Sequence, residues 1–488
     1  MMRLAFFSPL PPSKSGIADY SQALIEQLRR HAEVETFEAA PEGFDPGRYD
    51  ACIYQMGNNR HHEGAWRAAL AHPGVVVLHE ANLHHLIAEI TIKRGDWDAY
   101  LEELAYDGGL EALERGKRVQ AGEIGPDYYG VPMLRRTLER ARAVIVHSRY
   151  VESKVREAGF SGPVAVIPHG AWLPEADRNE YRRRLGLDET TPLAGIFGFL
   201  KPYKRIPECL RAFRRLVRLE LRAKMILTGE PHPELDIPAL VASLDLEDSV
   251  RLLGFVSEED LNGFIAACDV VLNLRHPTVG ESSGTLLRAL GLGRAAIVSE
   301  VGAFAELPDE VCLKVPPGPA EEDLMFEYLN LLVSRPEIRR TLGRQARRWV
   351  ETHCSWPIAA RRYLEFARAV AEGREWKPAE PEPAPAPEPE RPAEEPAEEG
   401  VPAEEPPKKA VLDWCPPEGG AREYVETHMD RLAKTLAITP RGGPGDRILE
   451  MGAYMQITPA LHFELGYGEV RGCYYGEAGK QDLKEVTA

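Results

Sequence analysis

The chain has 488 residues, 44% of them hydrophobic and 28% charged, with a formal net charge of −17. That length suggests about three domains with enough surface to bury real cores, and the composition is that of a soluble globular protein. The acidic balance argues against nucleic acid as a general partner. Part of that charge is local: residues 375–410 hold eleven Glu against four Lys or Arg, leaving seven net negative charges there. The seven cysteines are scattered and lack CxxC spacing, so a reduced cytosolic compartment is the simplest account. The N-terminal apolar run is too short for a signal peptide, and no 18-residue apolar span occurs. The expected localisation is cytoplasmic, with any membrane contact peripheral at the inner membrane.

Leu4 to Ser8 reads as a buried first strand, followed by the loop PLPPSKSGIADYS and a helix through Tyr20, Leu24, Ile25 and Leu28. Ala51 to Gln55 and Val75 to Leu78 are further short strands, ending in GNNRHH and HEANLHH. In open parallel sheets, ligands bind outside the carboxyl ends of the strands. His79, directly after VVVL, is therefore aimed at a cleft, with Asn58, Asn59, His62, His84 and His85 as lesser acceptor-side residues. Val144 to Val146 and Val164 to Ile167 give two more strands, the second leading into Pro168, His169 and Gly170.

A second series starts with the glycine-interrupted strand Leu193 to Phe199, then LKPYKRI and an amphipathic helix through Leu210, Phe213, Leu216 and Val217. Met225 to Thr228 and Val250 to Val256 are strands. Residues 270–300 form a strand–loop–helix–strand unit: Val270 to Leu274, a loop with Pro277, Gly280 and Glu281, a helix started by Ser282 and Ser283, and Ala295 to Ser299. Free N–H groups at such a helix start, with the helix dipole behind them, suit a phosphate, and Gly284 lets an anion approach the backbone. A carboxylate there, Glu281, has to face something else, such as a sugar hydroxyl.

This stretch resembles the donor segment of retaining nucleotide-sugar glycosyltransferases of the large family 4 (group 1) type. The resemblance implies an α/β chain of GT-B fold: two Rossmann-like domains with a donor cleft between them. It implies an N-terminal, acceptor-side domain at 1–172, onto which 355–374 crosses back, and a donor domain at 173–354. Glu281 matches the family glutamate that holds the transferred sugar, and His79 the histidine placed against the same ring; these two are the catalytic residues implied. Gly16 matches the glycine of the first loop, with Asp19 and Tyr20 capping the helix or facing the cleft. Gly198 and Lys204 match the glycine and the lysine six positions after it. Phe199 stands where a base is usual, so Lys201 or Arg205 is to supply the second cation. Donor-binding residues are thus Gly16, Gly198, Lys204, Arg205, Ser282, Ser283 and Gly284. The second family glutamate, which holds the ribose, is missing: its position falls on Ala289 or Arg288.

The implied activity is transfer of a sugar from a nucleoside-diphosphate sugar to a glycan, lipid-linked or small-molecule acceptor, with no cofactor or metal. Asp96-Trp97-Asp98 is similar to the metal-binding DxD of the other glycosyltransferase fold, but it lies in a helical pattern, where a solvated face is the better reading. Another GT-B enzyme, such as an epimerase or phosphorylase, and a non-catalytic donor-binding or tethering module remain as alternatives. The arginine-rich faces at 211–222 and 339–348 leave two readings open, contact with an anionic membrane or ordinary solvated helices.

Residues 375–410, rich in Pro, Glu and Ala, are expected to be a disordered linker. Beyond it, 411–488 resembles the start of a class I methyltransferase, with Glu450 and Gly452 matching the end of its first strand. Ala453 and Tyr454 replace further glycines, and Glu477 comes late for the acidic residue after the second strand. The segment covers only part of such a domain, so S-adenosylmethionine binding is not expected.

Overall fold

The computed structural model of the chain describes residues 1–13, 15–377, 429, 432–433, 435–437, 439–451, 458–475 and 481–485. Two compact units are present, Met1–Pro385 and Ala386–Ala488.

The first unit is built on two parallel six-stranded sheets, which is the GT-B architecture. The first sheet contains β1 (Met2–Phe7), β2 (Ala32–Phe37), β3 (Ala51–Met56), β4 (Val75–Leu78), β5 (Ala143–Val146) and β6 (Val164–Val166), in the order β2-β1-β3-β4-β5-β6. The second contains β7 (Leu193–Ile196), β8 (Lys224–Thr228), β9 (Val250–Gly254), β10 (Val270–Asn273), β11 (Ala295–Ser299) and β12 (Leu313–Val315), in the order β12-β11-β10-β7-β8-β9. β10 lies between β7 and β11, with Val270 opposite both Ala194 and Ala295. Strand order reverses there, and the loops after β7 and β10 diverge to leave a crevice.

The central strands are the near-continuous Val, Ile and Leu runs legible in the sequence, because a parallel sheet is covered on both faces. Two strands were not legible, β2 and β12. Both are edge strands, and their AEVETF and LKV carry charge where the inner strands are apolar. The strand expected over 193–199 stops at Ile196, since Gly198 takes φ +80° and turns the chain away.

The two lobes are joined twice. Ala171 N donates to Cys354 O at 2.7 Å, so the outgoing and returning segments lie side by side. Gly170 passes against Trp356 so closely that a Cβ would lie 2.2 Å from the indole. The helix Trp356–Ala371 then packs on the helix Gly16–Leu28, with the Tyr20 and Tyr363 hydroxyls 2.9 Å apart. Packing continues to Trp376, whose ring stacks edge-on to Phe366 at 5.4 Å.

Several arginines of these two faces are held in ion pairs. Arg211, Arg214 and Arg215 pair with Glu322, Asp245 and Asp323, and Arg339 and Arg347 with Asp269 and Glu351. This favours the solvated-helix reading over a membrane surface. Among the described residues no helix is long and apolar enough to cross a membrane. Asp96 caps the helix Trp97–Gln120, accepting from Ala99 N at 3.0 Å.

The second unit pairs β13 (Arg447–Met451) parallel with β14 (Glu469–Tyr475) across the short helix Thr458–Phe463. A third strand, β15 (Gln481–Glu485), adds antiparallel to β14 and was not read from the sequence. Glu450 lies in β13; Gly452, Ala453, Tyr454, Glu477 and the linker from 378 to 410 lie outside the described residues.

Candidate active cleft

The second lobe supplies a cationic wall. Ser283 caps the helix Gly284–Gly291: its hydroxyl accepts from Leu286 N at 3.3 Å and donates to Asn273 Oδ1 at 2.9 Å. Asn273, at the end of β10, is 4% exposed, yet its Nδ2 has no partner. A buried donor without an acceptor is what a ligand oxygen would satisfy. Gly284 is open; a Cβ there would meet only Trp172, at 3.8 Å. Ser282 is partly exposed in the same loop.

Lys204 is buried beneath Gly198, where a Cβ would come 3.1 Å from its Nζ. Its ammonium donates to Phe197 O at 2.6 Å. Burial, with Arg275 and Lys201 beside it, holds its pKa well below the usual lysine value. Arg275 follows β10 and is buried too; its guanidinium reaches Ser283 Oγ at 3.4 Å and Glu281 Oε1 at 3.8 Å. Two neighbouring buried cations repel, and an anion between them relieves the repulsion. Arg205 does not join them. It turns to the buried Glu321 in a two-pronged ion pair and also reaches Glu208 at 3.4 Å, so the buried guanidinium beside Lys204 is that of Arg275.

Glu281 is fixed by its own loop. Thr278 Oγ1 donates to its Oε2 at 2.7 Å and Val279 N at 3.1 Å.

The first lobe faces this wall with neutral imidazoles. His79 leaves β4 buried, its Nε2 2.7 Å from Gln55 Oε1 and its ring 4.7 Å from both Tyr20 and His147. His169 lies 4.5 Å from Tyr20, and His62 is tied to Gln55 O at 2.9 Å. Burial lowers all four, most securely keeping them uncharged at neutral pH: His62 and His147 to about 4, His169 to about 3, and His79 well below its ordinary value. Gln55 Nε2 and His147 Nε2 are buried without partners. Gly16 begins its helix with open space where a Cβ would stand. The cap is Ser15, accepting from Ile17 N at 3.3 Å, so Asp19 is no cap; burial and Glu258 of the second lobe raise its carboxyl, while Arg288 lowers it. Asp19 therefore faces across the cleft, and Tyr20 faces inward.

Geometry thus brings Gly198, Lys204, Ser283 and Glu281 to one wall, with Gly16 and His79 on the other lobe. Two residues escaped the sequence reading. Arg275 and Glu80 each sit one or two positions past a strand end, which is the signal that could have found them. Arg288, read from the sequence only as the place of the missing glutamate, is buried against Trp172 at 4.0 Å and pairs with Glu258 at 2.8 Å.

Residues 177–349 match the family model described as glycosyl transferases group 1. That match lies within the second lobe. Over 235 residues the chain is 23% identical to a lipopolysaccharide 1,2-N-acetylglucosaminetransferase of Salmonella typhimurium, covering 46% of this chain and 61% of that enzyme. Over 322 residues it is 24% identical to a GDP-mannose-dependent monoacylated α-(1-6)-phosphatidylinositol monomannoside mannosyltransferase of Corynebacterium glutamicum, covering 61% and 83%. The chain therefore spans about three fifths of the Salmonella glycosyltransferase and more of the corynebacterial one. The crystal structure of Anabaena HepE in complex with UDP superposes with a TM-score of 0.54 at 16% identity, covering 75% of this chain and 99% of that one. At that identity the superposition speaks for the fold.

Proposed function

We propose that the chain is a retaining glycosyltransferase of the family 4 type that uses a nucleoside-diphosphate sugar, with residues 173–354 as the donor domain. The observation that carries this is the pair of buried basic side chains, Lys204 and Arg275, beside the capped start of the helix Gly284–Gly291. Such a wall suits a diphosphate, whose negative charge grows as it leaves. HepE was solved with UDP, and the corynebacterial relative is named for GDP-mannose, which supports a donor of this class.

In this reading Lys204, Arg275 and the Ser282–Gly284 amides hold the diphosphate. Glu281, pinned by Thr278 and Val279, presents its other oxygen to sugar hydroxyls, and His79 supports the ring as a neutral hydrogen-bonding group. The bond from the anomeric carbon to the β-phosphate oxygen breaks. The acceptor oxygen bonds to the same face, and its proton passes to the departing phosphate. No protein nucleophile and no metal is used. The acceptor is a glycan, a lipid-linked sugar or a small molecule.

The test is turnover of UDP- and GDP-sugars with a mixed acceptor set, reading nucleoside diphosphate release and the product anomer by NMR in the presence of a chelator. Product with the donor's anomeric configuration is expected. Inversion would overturn retention, a need for added metal would overturn the metal-free step, and donor binding without turnover would make the chain a tethering module.

A further inference from the structure

The inference concerns how the two lobes are held in register and rests on the donor reading above. Ala81 N donates to Val279 O at 2.8 Å. Ala81 lies two residues after His79 and Val279 two before Glu281, so one backbone hydrogen bond ties the two side chains assigned to the sugar. The loop around Val279 is gripped on both sides. A Cβ on Gly280 would lie 2.7 Å from Tyr150 Cδ1 and Val151 Cγ2 of the first lobe, and one on Gly302 3.0 Å from Thr278 Cγ2. Just past Gly302, Glu306 reaches over the same boundary. Its carboxylate accepts from Arg149 N at 2.9 Å and from Tyr150 N at 2.6 Å. Those are the first two N–H groups of the helix Arg149–Glu157. The helix has a cap of its own in Ser148, which accepts from Val151 N at 3.2 Å, so Glu306 is an addition from the other lobe. The turn that presents it is held by the buried Phe304 and by Lys314, whose ammonium donates to Ala305 O at 3.0 Å.

We propose that Glu306 is a positioning residue for sugar transfer: it clamps the helix Arg149–Glu157 to the second lobe and so sets His79 against Glu281. A carboxylate suits the start of a helix, where free N–H groups and the dipole favour negative charge. Glu306 is exposed, so water can replace both bonds when the lobes part, and the clamp is reversible. The phosphate-holding groups, Lys204, Arg275 and Ser283, all belong to the second lobe and bond within it, so they do not depend on the clamp. What the clamp governs is the sugar. Glu281 hangs from the loop that Ala81 and Tyr150 grip, and His79 shares a segment with Ala81. A misplacement of about 1 Å between two such groups is enough to slow a reaction strongly.

The experiment compares the full chain with Glu306→Ala and Glu306→Gln, by amide hydrogen exchange and by steady-state transfer from UDP- and GDP-sugars. In Glu306→Ala, exchange at Arg149 and Tyr150 should quicken roughly tenfold, the scale of a lost helix cap. Exchange at Ala81, in a different segment, should quicken with it. The kcat should fall roughly tenfold or more, while donor KM, UDP or GDP affinity and melting temperature hold. Glu306→Gln keeps an accepting oxygen and should recover most of the turnover. Unchanged exchange at Ala81, unchanged kcat, a loss that falls on nucleoside diphosphate affinity, or a melting temperature that drops in step with turnover would overturn the proposal. If the unaltered chain transfers no sugar, the donor reading fails, while faster exchange at Ala81 in Glu306→Ala leaves the clamp between the lobes standing.

Discussion

The two lobes share a fold and differ in electrostatics. Sheet order apart, each is a covered parallel sheet with its loops turned to the cleft, yet one offers buried neutral imidazoles and the other buried basic side chains. A nucleoside-diphosphate sugar is itself divided in this way, with a dianionic end and a neutral ring. Specificity for such a donor can therefore arise from how two similar lobes are charged, with the backbone serving mainly to hold them face to face.

The largest break in this contrast comes from removing a cation. Lys204→Ala should lower transfer roughly 1000-fold, as loss of a fixed charge at a dry, developing anion does, and steady-state kinetics beside a melting curve checks this. If transfer is unchanged, Lys204 serves packing alone. Arg205→Ala sharpens the comparison from the other side. It leaves Glu321 buried and unpaired, so it should destabilise by about 3 kcal/mol while donor affinity stays within error, as thermal melting and titration would show. Glu281→Gln keeps size and loses charge. Turnover should fall roughly 30-fold with nucleoside diphosphate affinity kept; equal losses in melting temperature and turnover would mark Glu281 as structural.

The neutral lobe is broken by acid. His62, His147 and His169 titrate below their unfolded value, so the unfolded chain binds more protons between roughly pH 4 and 6.5. Their contribution to stability is complete above pH 6.5 and is lost as pH falls towards 4, by about 1.4 kcal/mol per pH unit for each group. Melting temperature should drop accordingly between pH 7 and 5, and His147→Gln should flatten the slope. The smallest effect belongs to the tail. Truncation after Lys377, which keeps Trp376 on Phe366, should leave transfer and melting of the first unit unchanged, and the full chain should show no micromolar affinity for S-adenosylmethionine. Loss of transfer on truncation would make the tail a working partner.

The central strands, the capped helix at Ser283 and the pairing of Gly198 with Lys204 were legible because each is local: an apolar run, a cap, a spacing. What was hidden depended on partners distant in sequence. Arg205 and Arg275 look alike as letters, and only the position of Glu321 decides which one faces the cleft. Glu80 follows a histidine in an ordinary strand tail, and what raises its carboxyl is burial and then Glu281, two hundred residues on and in the other lobe. Ser15 displaced Asp19 as a cap for a simpler reason, since two cap-forming residues lay within one turn.

The most direct test of the account is titration of UDP and GDP into the full chain, followed by the same titration at raised salt. The account predicts one site per chain for at least one of them, with an affinity that weakens as salt screens Lys204 and Arg275. Absence of binding by both, or binding indifferent to salt and to Lys204→Ala, would contradict it.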